Sequence, residues 1–131
     1  MRNLTRNERI QRWLWLLFSF SGRIGRGPFW TFQALFLATV IALITLDQVF
    51  VQLWIPFLFP INPFFLLLLW ANLAVDVKRW HDLDRSGWWV LFTLVPIIGP
   101  IWVLIQLGLA EGTPGENRFG PPPIPPPTAG G

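Results

Sequence analysis

Between Gly27 and Val75 a single residue, Asp47, carries a charge, and from Trp88 to Ala110 none does. Runs of that length cannot form the exposed surface of a water-soluble fold, whose helices keep a charged face toward solvent. The charged residues, ten Lys and Arg plus seven Asp and Glu, gather instead at the N-terminus, from Asp76 to Arg85, and near the C-terminus. At 13% of the chain they are about half the usual share. Lipid is therefore the expected solvent, and the chain is read as an all-α integral membrane protein.

The elements follow from the apolar runs. Ile10, Trp13, Leu14, Leu17 and Phe18 share one helical face, with Glu8 and Arg12 opposite, so residues 4–20 form an amphipathic helix. It either lies in the membrane interface or packs on the chain's own bundle. A Gly-rich basic turn leads to Pro28, which suits a first helical position, and to Phe29 and Trp30 as boundary aromatics. A span over about 28–47 covers a hydrocarbon core of about 30 Å. Pro56 and Pro60 make residues 49–60 an interfacial or re-entrant loop, and Asn62-Pro63 starts a second span over about 63–77. The third apolar run, about 88–110, is broken by Pro96-Ile97-Ile98-Gly99-Pro100. It is expected to be a kinked crossing, because each arm of a hairpin is too short to span; the hairpin is the alternative. The whole is a small bundle of about three transmembrane helices in one membrane domain, 1–120, followed by a Pro-rich flexible tail, 121–131.

Topology follows from the basic residues. Arg2 to Arg26 and Lys78, Arg79 and Arg85 flank two loops, whereas the loop near Asp47 has neither Lys nor Arg. The positive-inside rule then places both basic junctions and the N-terminus in the cytoplasm. A kinked third crossing leaves the tail on the far side; a hairpin returns it. Residues 2–12 followed by an apolar run imitate a secretory signal, but Gly22-Arg23-Ile24-Gly25-Arg26 stands where a small-residue cleavage site belongs, so the N-terminus is expected to be retained.

The richest polar segment runs from Asp76 to Trp89. Its charges fall at helical spacings, Asp76 with Arg79, Lys78 with Asp82 and Asp82 with Arg85, which suits a salt-bridged elbow at the interface. Trp30, Trp80, Trp88 and Trp89 read as interfacial anchors. The sharper reading gathers Arg23, Arg26, Arg79, His81, Asp82 and Arg85 into a site for an anionic headgroup or an interface. No catalytic, cofactor or metal site is expected. The chain has no cysteine, and a lone His81-Asp82 pair lacks both a nucleophile and a ligand set. Gly22 to Gly27 lacks P-loop or dinucleotide spacing, and the net charge of +3 suits orientation and headgroup attraction rather than nucleic acid. The run Gly112-Thr113-Pro114-Gly115-Glu116-Asn117-Arg118-Phe119-Gly120-Pro121 favours tight turns folding back on the bundle.

Taken in order, Gly22-Arg23-Ile24 through Arg26 with Phe29-Trp30, Arg79-Trp80-His81-Asp82 through Ser86-Gly87-Trp88-Trp89, Pro96-Ile97-Ile98-Gly99, and Gly112 through Pro121 resemble the YhaH/YhaI-like family of bacterial inner-membrane proteins, a domain of unknown function (DUF805). The resemblance covers roughly Phe18 to Pro123. Trp80 departs from the family's usual leucine, and Pro28 from its usual charged or polar residue. The resemblance implies a multi-pass protein of the bacterial inner membrane and lends no catalytic residues. The expected function is a noncatalytic interaction, scaffold or accessory role among lipids, other membrane proteins or further copies of itself. The alternatives are a small transporter or channel component using Gln106 and the charged elbow, and an anionic lipid binder.

Overall fold

Thr5 opens the first helix with a capping box: its hydroxyl accepts from Glu8 N at 3.3 Å, and Glu8 Oε2 accepts from Thr5 N at 2.7 Å. The computed structural model describes residues 5–52 and 63–123. They form α1 (Arg6–Phe18), α2 (Arg26–Gln52), α3 (Pro63–Asp82), a 3₁₀ helix (Gly87–Leu94) and α4 (Ile98–Leu109). No strand occurs among the described residues, only an isolated bridge between Asn117 and Gly120. Much of the expected loop over 49–60, the Asn62 cap and the tail beyond Pro123 lie outside the described residues.

Helix α2 runs five residues past the expected end at 47, because no Gly or Pro stands between Asp47 and Gln52 to stop it. Among the described helices it alone is both long and apolar enough to cross a membrane. Helix α3 is uncharged only from Pro63 to Val75; its last turns carry Asp76, Lys78, Arg79 and Asp82, all buried. It is the central element, packed against α1, α2, the 3₁₀ helix and α4.

The segment after α3 corrects the expected kinked crossing. The 3₁₀ helix and α4 lie side by side, Phe92 and Trp102 meeting at 5.1 Å between ring centres, and both outer ends return to the C-terminal end of α3. At the tip, Ile98 N donates to Pro96 O at 2.7 Å across Ile97, whose φ of 67° and ψ of −60° define a rare, strained γ-turn. Gly99 is required there, since a Cβ would collide with the Phe92 carbonyl. Eight residues of 3₁₀ helix rise about 16 Å and twelve of α-helix about 18 Å, each roughly half a hydrocarbon core. The two arms therefore fold back on each other as a hairpin whose ends lie together, where one kinked crossing would set them at opposite ends.

Trp80 is also corrected. Expected as an interfacial anchor, it is fully buried, its indole 5.9 Å from that of Trp89 and 5.8 Å from that of Trp102. Its position on α3 faces the hairpin, so packing rather than lipid depth determines its role. Trp88 is 77% exposed and Trp30 43%, while Trp89 is half-buried.

Candidate functional site

The C-termini of α1, α3 and α4 converge on one end of the bundle. Each helix end leaves carbonyl oxygens without an intrahelical partner, and the aligned peptide dipoles make that end negative. Cations and polar side chains from other elements meet these groups. Lys78 reaches back to α1, its Nζ donating to Trp15 O at 3.1 Å, Leu16 O at 2.5 Å and Ser19 O at 2.6 Å, and lying 4.9 Å from the Trp15 ring. All three ammonium protons are thereby used. Arg79 turns to α4, Nε donating to Leu107 O at 2.6 Å and Nη2 to Ala110 O at 2.5 Å. Trp30 Nε1 donates to Gly108 O at 3.0 Å. The carbonyls of α3 are met by residues after α4: Thr113 N donates to Asp82 O at 2.7 Å and Asn117 Nδ2 to His81 O at 2.9 Å.

Asp82 is the counterion at the centre. Arg23 Nε donates to its Oδ1 at 3.0 Å and Arg79 Nη1 to its Oδ2. The rest of the Arg23 fork holds the returning chain, Nη1 donating to Gly115 O at 2.7 Å and Gly120 O at 3.2 Å, and Nη2 to Thr113 O at 2.5 Å. Gly112 makes this approach feasible, because a Cβ there would run into the Asp82 carboxylate. His81 lies flat on Phe119, ring centres 3.9 Å apart, with Nδ1 3.2 Å from Gly22 O. Burial pushes the imidazole below its ordinary range and Lys78 adds to the shift, against the opposing Gly22 hydrogen bond.

Of the six expected site residues, Arg23, Arg79, His81 and Asp82 come together. Arg26 stays exposed at the rim, 3.9 Å from Glu111, and Arg85 lies apart, its guanidinium 4.8 Å from the Trp89 ring. The expected pairs of Asp76 with Arg79, Lys78 with Asp82 and Asp82 with Arg85 give way to other partners. Asp76 accepts instead from Gln33 Nε2 at 3.0 Å and Asn72 Nδ2 at 2.8 Å. The Arg23 and Arg79 donors that a headgroup would need are engaged within the protein. The sequence pattern assigns Asp76 and Lys78 to partners on their own helix and gives Gln33 and Asn72 no part in a site, although polar residues inside apolar helices are themselves a signal. Among the described residues no three His, Asp or Glu side chains gather as metal ligands.

The model of the family described as protein of unknown function (DUF805) matches residues 17–121, a range that includes the junction. The chain belongs to the DUF805 family of proteins of unknown function. Within DUF805 it is 41% identical to the inner membrane protein YhaI of Escherichia coli over 101 residues, 77% of this chain and 82% of that one. It is 54% identical to inner membrane protein YhaH over 50 residues, 38% of this chain and only 40% of YhaH's length. The uncharacterized protein YiiR of the same organism is 34% identical over 139 residues, covering 85% and 88%. No solved structure matches the chain.

Proposed function

We propose that this DUF805 protein is a noncatalytic, multi-pass protein of the bacterial inner membrane that acts by interaction, as a scaffold or accessory subunit. The observation carrying this reading is that its main polar cluster, Arg23, Arg79 and Asp82, directs its hydrogen bonds inward to backbone carbonyls and a counterion. Such a cluster holds a shape and leaves little to act on a substrate. Helix α2 meanwhile presents Leu35, Leu37, Ile41 and Ile44 outward, apolar surface suited to lipid and partner helices. In this account α2 and α3 cross, the hairpin dips from the cytoplasmic side, and the N-terminus and residues 111–123 share that side. The inner-membrane names of YhaI and YhaH support the location. A photo-crosslinking residue at Leu37 in cell membranes is expected to give discrete protein adducts; lipid adducts alone would count against the interaction role.

A second reading, a transporter component, is favoured by the Asp76, Gln33 and Asn72 group between α2 and α3, with Asn72 Oδ1 buried and unpartnered. Among the described residues Gln106 makes no side-chain hydrogen bond to this group. Ion flux in proteoliposomes that vanished in Asp76→Asn would support this second reading.

A further inference from the structure

Beneath α1 lies a cavity of about 550 Å³, bounded by the turn around Gly22 to Pro28 and by Phe119 to Pro123. Its volume falls within the roughly 300–1,000 Å³ of small-molecule sites. The wall is largely apolar, with Trp13, Leu16, Ile24, Pro28, Pro121 and Pro122; three cations also line it, Arg23, whose donors are spent on Asp82 and backbone carbonyls, and Arg9 and Arg12 on α1. These two sit one helical turn apart on α1 and therefore point to the same side. Unlike Arg23 and Arg79, neither makes an ion pair or side-chain hydrogen bond among the described residues. The one acid on α1, Glu8, is engaged at the Thr5 cap. The site thus joins two uncompensated cations to a greasy slot, and Trp13, Leu14 and Phe18, all exposed, put it at the level of lipid.

We infer that this cavity binds an anionic phospholipid of the bilayer, its phosphate on Arg9 and Arg12 and part of an acyl chain against Trp13, Ile24 and Pro121. The occupant follows from charge and shape together. A soluble anion has no use for the apolar wall, and a zwitterionic lipid offers the two arginines no net charge. The cavity adjoins the junction through Arg23 and Phe119, but Arg9 and Arg12 take no part in the junction's hydrogen bonds, and lipid binding here does not depend on the interaction role.

The test is native mass spectrometry of the full chain in mild detergent, offered phosphatidylglycerol or phosphatidylcholine with identical chains. One phosphatidylglycerol is expected to remain bound where phosphatidylcholine does not. The double variant Arg9→Gln/Arg12→Gln should bind it about 30-fold more weakly, the equivalent of two basic residues at about 1 kcal/mol each. Arg6→Gln, on the same helix and outside the lining, should bind as the parent does. Gly25→Leu should also weaken binding by filling the cavity, since a Cβ there has room, its nearest contact being Pro123 Cγ at 3.9 Å. Unchanged binding in the double variant, or equal loss in Arg6→Gln, would overturn the site. Full competition by glycerol phosphate, which has no chains, would make it a soluble-anion site and overturn the lipid assignment. Binding that appeared only after deletion of residues 124–131 would show that the tail is the occupant instead.

Discussion

Arg23 and Asp82 lie 59 residues apart in the chain and meet at 3.0 Å, with both side chains almost wholly buried. The pair ties the turn before α2 to the end of α3, and the same guanidinium grips the chain returning from α4. Lys78 and Arg79 thus cap helix ends, Arg23 holds the loop after α4, and Arg23 and Arg79 share one carboxylate as counterion.

Asp82→Asn removes that carboxylate's charge while both guanidiniums stay buried. Breaking a buried pair from one side costs about 3–5 kcal/mol, and that is the expected loss in detergent unfolding. Arg23→Lys keeps the charge but loses the planar fork that reaches three carbonyls, so it should also destabilise, though less. A change under about 1 kcal/mol for Asp82→Asn would mean that the junction does not hold the fold together.

Lys78→Met keeps the length of the side chain and removes the donors that cap α1. The prediction is local: α1 should come off α3 while the rest stays folded. Trypsin would then cut after Arg12 much faster than in the parent protein, at an almost unchanged unfolding midpoint for the bundle. Parent-like cleavage would contradict the capping role.

Trp80 fills an aromatic cluster but leaves its Nε1 buried without a partner. An unpaired buried donor costs about 1–3 kcal/mol, which Trp80→Leu would recover against the packing it loses. Trp80→Leu should therefore be nearly neutral, while Trp80→Ala should lose about 3–5 kcal/mol. Comparable losses in the two variants would show that the indole itself is required.

His81 makes stability depend on pH. Its folded pKa is lowered, so the neutral ring is the form the folded state prefers. Stability should be flat at high pH and fall as pH drops below the ordinary histidine value of about 6.5, where only the unfolded chain protonates readily. His81→Gln should flatten that decline, as read by thermal unfolding between pH 5 and 8, whereas an unaltered slope would assign it to other groups.

Much of this arrangement can be read from the residues. The clustering of charge marks the junctions, and the capping pattern around Thr5 and Glu8 lies within the amphipathic helix expected over 4–20. Gly112 to Pro121 folds back as its turn residues suggest. What is not legible is partner choice. Lys78 and Asp82 have ideal spacing on one helix, yet Lys78 caps carbonyls at the end of α1, and Asp82 serves two arginines instead. Trp80 looks like an anchor because its run borders lipid, and only the neighbouring hairpin makes it core. The hairpin itself is signalled by Pro96 and Pro100, but the short arms weigh against it only if each arm has to span.

That hairpin is the account's central claim, because it brings the end of α4 back to Arg23 and Arg79. The parent chain has no cysteine, so single-cysteine variants report cleanly. Asn7→Cys, in the first turn of α1, and Glu116→Cys, beyond α4, both at exposed positions, can be labelled in intact spheroplasts with an impermeant maleimide. The account predicts that neither reacts until the membrane is opened, and that both then react. Labelling of Glu116→Cys from outside, with Asn7→Cys protected, would contradict it.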